Sequence, residues 1–138
     1  MTEKRLLILG TGHIAHRHAE HFSALPGCRL VGASDINAER ARAFAEMHRI
    51  PHAFGSLEEA IAWGEFDAAV NATPDGAHMA TSLALIAAGK AVFCEKPLAL
   101  SFEDAMAMTE AAESAGLVNM VNLTYRNAHA IQLARRMI

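Results

Sequence analysis

The sequence predicts an α/β domain with a doubly wound, mostly parallel sheet of six strands. Three observations predict it. Short apolar runs alternate with helical patterns along all 138 residues. A glycine turn, Gly10-Thr11-Gly12, joins the first run to the first helix. A carboxylate, Asp35, closes the second run. Strands that are continuously apolar fit burial on both faces, as in parallel sheets. Right-handed crossovers then suggest the strand order 3-2-1-4-5-6.

Residues 6–9 read as the first strand and 14–24 as the first helix, stopped by Pro26-Gly27. Residues 29–34 form the second strand, 38–48 the second helix, and 52–54 a short edge strand. Ser56-Leu57-Glu58-Glu59 is a capping box opening a helix that ends near Gly64. Residues 67–71 are the fourth strand. Thr73-Pro74 reads as an N-cap followed by proline at the first helical position, and that helix runs to Ala88 and stops at Gly89. Residues 91–94 are the fifth strand. Ser101 caps a helix to Ala115, ended by Gly116. Residues 117–121 are the sixth strand, and a last helical stretch begins near Asn127.

In a parallel sheet all strands exit at one edge, where open α/β sheets bind ligands. The special residues follow the strands: Gly10 to Gly12, Asp35, Asn71 to Pro74, Glu95 to Pro97, and Asn122 to Arg126. Gly10-Thr11-Gly12-His13-Ile14-Ala15 is a G-x-G-x-x-A turn between strand and helix. Gly10 allows the tight turn, Gly12 lets backbone approach a pyrophosphate, and Ala15 lets the helix sit close to the strand. The helix start offers free N–H groups to phosphates, with His13 beside them. Asp35 stands where a carboxylate accepts hydrogen bonds from a ribose diol, so the pattern predicts a dinucleotide site. A carboxylate there welcomes a free 2′-hydroxyl and repels a 2′-phosphate, which favours NAD and leaves NADP as the alternative. Arg40 and Arg42 are expected to face solvent from the next helix.

Glu95-Lys96-Pro97 follows a buried strand directly. At this edge Lys96 could face the nicotinamide end, where oxidising an alcohol needs a base for the hydroxyl proton. The cationic ring favours a neutral amine, while Glu95 pulls the other way or orients the lysine. The plain alternative is a surface ion pair. A cis bond before Pro97 is a minority outcome at any X-Pro. Asn71, Ala72, Thr73 and Pro74 form a helix start that could line ribose or nicotinamide, or serve only as a cap. His78 is a candidate contact one turn on, and otherwise a surface histidine. His13, His16, His18 and His21 crowd the first helix, but no carboxylate or cysteine completes a ligand set, so no metal is expected.

Composition bounds the rest. The chain is 52% apolar and 20% charged with a net charge of −3, which announces neither nucleic acid nor an anionic membrane as partner. Cys28 and Cys94 form no C-x-x-C pair, and Cys94 reads as a buried thiol. The opening apolar run is too short for a signal peptide, so the expected location is cytoplasmic.

GTGHIA, Asp35, NATPDGAH and FCEKP, in that order, resemble the Gfo/Idh/MocA family of NAD(P)-dependent oxidoreductases over roughly residues 4–126. The resemblance implies a two-domain enzyme acting on a small sugar, polyol or related hydroxylated substrate. It implies that Lys96 lies beside nicotinamide and substrate as the catalytic residue, and that Thr73, Pro74, His78 and Glu95 help line the cofactor. Arg126 looks like the arginine that follows the family's sixth strand. Asn127-Ala128-His129 departs from the aromatic residue and proline usual there. The family's second domain, with its catalytic histidine, is not in this sequence. The expected organisation is therefore a dinucleotide-binding domain over 1–126 and, over 127–138, the start of a helix connecting to an absent substrate domain. Such a fragment is expected to bind cofactor without full activity. An NAD-binding sensor or interaction module is the competing reading. The apolar residues 131–134 have little to pack on, so self-association into a homo-oligomer is compatible with the sequence.

Overall fold

The computed structural model describes residues 3–137. Six strands, β1 (Lys4–Leu9), β2 (Cys28–Ser34), β3 (His52–Phe54), β4 (Ala68–Asn71), β5 (Ala91–Cys94) and β6 (Asn119–Val121), form one sheet in the order β3-β2-β1-β4-β5-β6. Every pairing is parallel. The helices are α1 (His13–Ala24), α2 (Ala38–Met47), α3 (Leu57–Trp63), α4 (His78–Ala87), α5 (Phe102–Ser114) and α6 (His129–Met137). Single 3-10 turns occupy Asp75–Ala77 and Thr124–Asn127. The doubly wound order is the one that the sequence predicts.

The sheet has an apolar cluster on each face. Leu6, Ile8, Leu30 and Ala33 pack under Ala15 and Ala19 of α1 and Phe44 of α2. Leu7, Leu9, Ala69 and Val92 pack with Ala60 of α3, Leu85 of α4 and Met108 of α5, and Phe66 fills this side. Alternate residues of β1 thus serve opposite faces, which explains its unbroken apolar run.

The expected caps hold at Ser56 and Ser101, and Asn37 caps α2, for which the sequence reading named none. Asn37 Oδ1 accepts from the N–H groups of Glu39 and Arg40, Ser56 Oγ from Glu59 N–H, and Ser101 Oγ from Asp104 N–H. Glu59 reaches back to the N–H of Gly55, one residue before the cap. The fourth cap differs. Thr73 does not cap α4, and Pro74 is not its first residue. A 3-10 turn intervenes, α4 begins at His78, and the Thr73 hydroxyl donates to Asn71 Oδ1 instead. The Thr73 hydroxyl is turned toward Asn71, and the intervening 3-10 turn puts the start of α4 five residues further on. Asp67 lies just outside β4, paired with Arg5 at 3.0 Å. β6 is three residues long, with Leu117 packed on the core before it. Residues 124–127 form the 3-10 turn, so α6 starts at His129, and none of its residues is buried. Ile138 lies outside the described residues.

Register makes the strands end together. Leu9 is level with Ser34 and Asn71, Ser34 with Phe54, Asn71 with Cys94, and Cys94 with Val121. One more rung follows. Gly10 N–H donates to Ser34 O, Asp35 to Phe54 O, Ala72 to Leu9 O, Glu95 to Asn71 O, and Asn122 to Cys94 O. The glycine turn, the β2 acid and the β5 loop therefore leave the sheet on one rim.

Phe66 is only 1% exposed. Phe66→Ala should cost about 3–5 kcal/mol, read as a lower urea midpoint with an unchanged slope.

Candidate functional site

Gly10 has φ +81°, and a Cβ there would lie 2.7 Å from the Ala72 carbonyl oxygen and 2.8 Å from Thr73 N. Only glycine fits where β1 and β4 exit this closely. Gly12 is different. Its φ is −74°, and a Cβ would meet only Arg40 Nη2, at 3.9 Å. The fold leaves that space open. α1 then starts with no side-chain cap and no acid in its first turn, so its first N–H groups and dipole are available to an anion.

Asp35 sits above this turn and is 8% exposed. Its Oδ2 accepts from Thr11 N–H at 2.9 Å and the Thr11 hydroxyl at 2.8 Å, and Oδ1 accepts from Asn37 N–H at 2.9 Å. Arg40 Nη2 stands 3.6 Å from Oδ2. Burial pushes the carboxyl up, but the hydrogen bonds from Asn37 and Thr11 and the Arg40 charge outweigh it, so Asp35 lies below its ordinary value. Arg40 does not simply face solvent as expected. It occupies the first turn of α2, which begins at the same rim, and its guanidinium lines the cavity.

That cavity, about 460 Å³, runs along Gly10, Thr11, Gly12, His13, Ile14, Asp35, Ala72, Thr73 and Pro74. Leu9, Ser34, Ile36, Arg40, Leu57, Ala77 and Thr81 complete its wall. Lys96 and Arg126 are on the same rim but line a different cavity, about 370 Å³, with Tyr125 and Ile131. A third, about 460 Å³, brings Lys96 together with Ile14, Arg17, His21 and Phe93. Ile14 is shared, so it forms the ridge between the first and third cavities.

Asn71, His78 and Glu95 lie beneath the rim. Asn71 Nδ2 donates to the hydroxyls of Thr81 and Ser82 at 2.8 and 2.9 Å, and its Oδ1 accepts from the Thr73 hydroxyl at 2.7 Å. His78 is fully buried, not on the surface. Its Nδ1 bonds Pro97 O at 2.7 Å and its Nε2 bonds Thr73 O at 2.9 Å. Both partners are carbonyl oxygens, which only accept, and a neutral imidazole can donate to one of them at a time. The ring ties the β4 loop to the β5 loop.

Glu95 does not pair with the Lys96 side chain. Its Oε1 accepts from His18 Nε2 and Asn122 Nδ2, each at 2.7 Å, and its Oε2 accepts from Lys96 N–H at 3.1 Å. Burial pushes this carboxyl up, and the bonds from Asn122, His18 and Lys96 N–H outweigh burial and lower it. The Lys96 side chain is exposed, and the Lys96-Pro97 peptide is cis. The other α1 histidines divide. His16 bonds His48 at 2.7 Å, while His13 and His21 are exposed. No group of three metal-binding side chains occurs among the described residues. Burial pushes the Cys94 thiol up to about 11.

A profile of the oxidoreductase family with an NAD-binding Rossmann fold matches residues 4–123. The chain belongs to the Gfo/Idh/MocA family. It is 35% identical over 116 residues to scyllo-inositol 2-dehydrogenase (NADP(+)) of Bacillus subtilis, covering 84% of this chain and 35% of that protein. It is 36% identical over 128 residues to 1,5-anhydro-D-fructose reductase of Ensifer adhaerens, covering 93% and 38%. The WlbA dehydrogenase of Bordetella pertussis, solved with NADH and UDP-GlcNAcA, superposes with a TM-score of 0.92 at 30% identity, covering 97% of this chain and 42% of that one. The chain thus spans well under half the length of these relatives. As a Gfo/Idh/MocA domain it is an NAD-binding one, and no helix among the described residues is long and apolar enough to cross a membrane.

The sequence reading named three residues of this Gfo/Idh/MocA site, Arg40, His18 and Asn122, without the roles the structure gives them. Arg40 carried a signal, since it is the third residue after the Asn37 cap and so falls in the turn facing Asp35. The bonds of His18 and Asn122 to Glu95 carried none, because only the folded chain brings α1 and the end of β6 to the β5 loop.

The folded Glu95 value is lowered, so its contribution is complete above the ordinary 4.5 and lost as pH falls through the folded value. Glu95→Gln should be less stable by about 1–3 kcal/mol near neutral pH. Urea unfolding at a series of pH values should show that gap narrowing below about pH 4.5.

Proposed function

We propose that the chain is the cofactor-binding part of an NAD-dependent oxidoreductase that moves hydride between nicotinamide and a carbinol carbon of a sugar, polyol or related hydroxylated substrate. The supporting observation is the common rim: Gly12, Asp35 and Lys96 leave three parallel strands that end on one rung. The cavity beside Gly12 fits the group. It leaves open the space that a Cβ would fill, presents uncapped helix N–H groups, and has in its wall a buried Ser34 whose hydroxyl has no partner among the described residues.

In this reading Gly10, Thr11, Gly12, His13 and Ile14 hold the pyrophosphate. Asp35 faces the adenosine ribose, and Ala72, Thr73 and Pro74 supply the wall toward the nicotinamide. Asn71, His78 and Glu95 act from beneath by fixing the two loops. The bound nicotinamide supplies hydride chemistry. Lys96 takes or returns the hydroxyl proton of the substrate at Nζ, and Arg126 sits on the substrate side. Residues 127–138 begin the connection to a substrate domain. The absence of any buried residue among the described residues of α6, and the greater length of the relatives, support this. The relatives' names, an inositol dehydrogenase and an anhydrofructose reductase, support a polyhydroxylated substrate. One observation favours the second reading, an NAD-binding module without catalysis: Lys96 does not line the cavity beside Gly12.

Calorimetric titration of the purified chain with NAD should give saturable one-to-one binding. Gly12→Val should abolish it without unfolding the chain, since the φ suits any residue and the space is open. Absence of binding by the unaltered chain overturns the proposal. Sustained sugar oxidation by these 138 residues alone would show that no further domain is needed.

A further inference from the structure

We propose that a cavity between α4, α5 and the β5–β6 side of the sheet is a binding site for one small uncharged aromatic molecule. Its volume is about 160 Å³, and it shares no lining residue with the three cavities at the rim. The proposal therefore stands apart from the dinucleotide reading. The packing explains the space. α4 approaches β4 and β5 closely, whereas α5 makes its main close approach to α4. β6, the edge strand, is three residues long, so little sheet lies beneath α5 to fill the gap.

The walls select the class of ligand. Ile86, Val92, Cys94 and Met108 line the cavity and are all buried, with Leu98 and Val121 half-buried beside them. Sulfur makes favourable contacts with aromatic rings, and two sulfur-bearing side chains meet here. None of the described residues that line the cavity is charged, and burial raises the Cys94 thiol so that it stays neutral. A charged ligand finds no counter-charge to offset its desolvation.

Water suits the space poorly, because a buried water needs about two to four polar partners. The Ser82 hydroxyl accepts from Asn71 Nδ2 at 2.9 Å and turns its proton toward Cys94 Sγ. The Thr109 hydroxyl donates to Ala105 O at 2.9 Å, and Asn119 Nδ2 donates to Leu117 O at 3.4 Å. An apolar cavity of about 150 Å³ stays dry and takes up benzene. Volume and polarity thus point to the same occupant, a single apolar ring. Asn119 and Met120 line the cavity and are exposed, which gives it a mouth at the β6 edge. Cys94 and Leu98 stand on either side of Glu95-Lys96-Pro97 in the chain, so an occupant bears on both ends of the loop that carries Lys96. Lys96 itself does not line the cavity, so the occupant reaches that loop from below without meeting its amine.

The test is an amide NMR titration of the full chain with benzene and, separately, with benzoate. Benzene should give saturable shifts at the lining residues and at Glu95 and Lys96, with a Kd of about 1 mM or tighter. Benzoate carries the same ring with a charge, and should bind at least about tenfold more weakly. Val121→Phe and Thr109→Leu each place carbon in the cavity and should weaken benzene binding by about tenfold or more. Met47→Ala, at an exposed position on α2, should leave it unchanged. If Val121→Phe fails to fold, Thr109→Leu carries the same test from a half-buried position on α5. Shifts that grow without saturating, benzoate binding as tight as benzene binding, or an unchanged benzene affinity in the filled variants each overturn the proposal. Titration with NAD is read separately, so failure here leaves the dinucleotide reading intact, and failure there leaves this proposal intact.

Discussion

The N–H groups of Gly10, Asp35, Ala72, Glu95 and Asn122 each donate to a neighbouring strand, and this last rung of the sheet decides where every functional loop begins. A parallel ladder has a fixed direction, so residues that follow five different strands share a rim without any contact between their side chains. β1 and β4 are neighbours at the centre, and the chain winds outward from them in opposite directions. Their loops separate at that switch point and leave a crevice. Gly10 is the local condition for it: any side chain there would strike the Ala72-Thr73 peptide and force the two loops apart.

Beneath the rim, largely buried polar groups give the loops their shape. Asn71 holds the backbone N–H and hydroxyl of Thr73. His78 links Thr73 to Pro97, and Glu95 links α1 to the end of β6 through His18 and Asn122. Burying these groups is costly unless each is satisfied, and here each has its partners. A layer of this kind resists small displacements of the loops above it, which is what a site for an extended ligand needs.

The sheet order, the helix starts at Ser56 and Ser101, and the glycine turn were legible because they rest on local rules: apolar runs, cap residues, and a conformation few residues adopt. The errors have a common cause in competition for polar partners across the fold. Thr73 has the residue type of a cap, yet Asn71 lies closer than the helix start. Glu95 stands beside Lys96 in the chain, yet α1 and β6 offer it buried donors that the adjacent side chain does not. His78 looked like a surface or ligand-facing ring until the β5 loop closed over it. Spacing along the chain says which residues reach an edge. It does not say which of them turn inward once neighbours arrive from distant segments.

Ile14 lies at the start of the first turn of α1 and divides the cavity at the glycine loop from the one at Lys96. A molecule spanning both would lie across that divide, with each half read by its own walls. Its grip then behaves as two modest fragments joined by a short tether, the second landing at high local concentration once the first is seated. Mononucleotides would sample one compartment or the other, and only the joined form would gain from both.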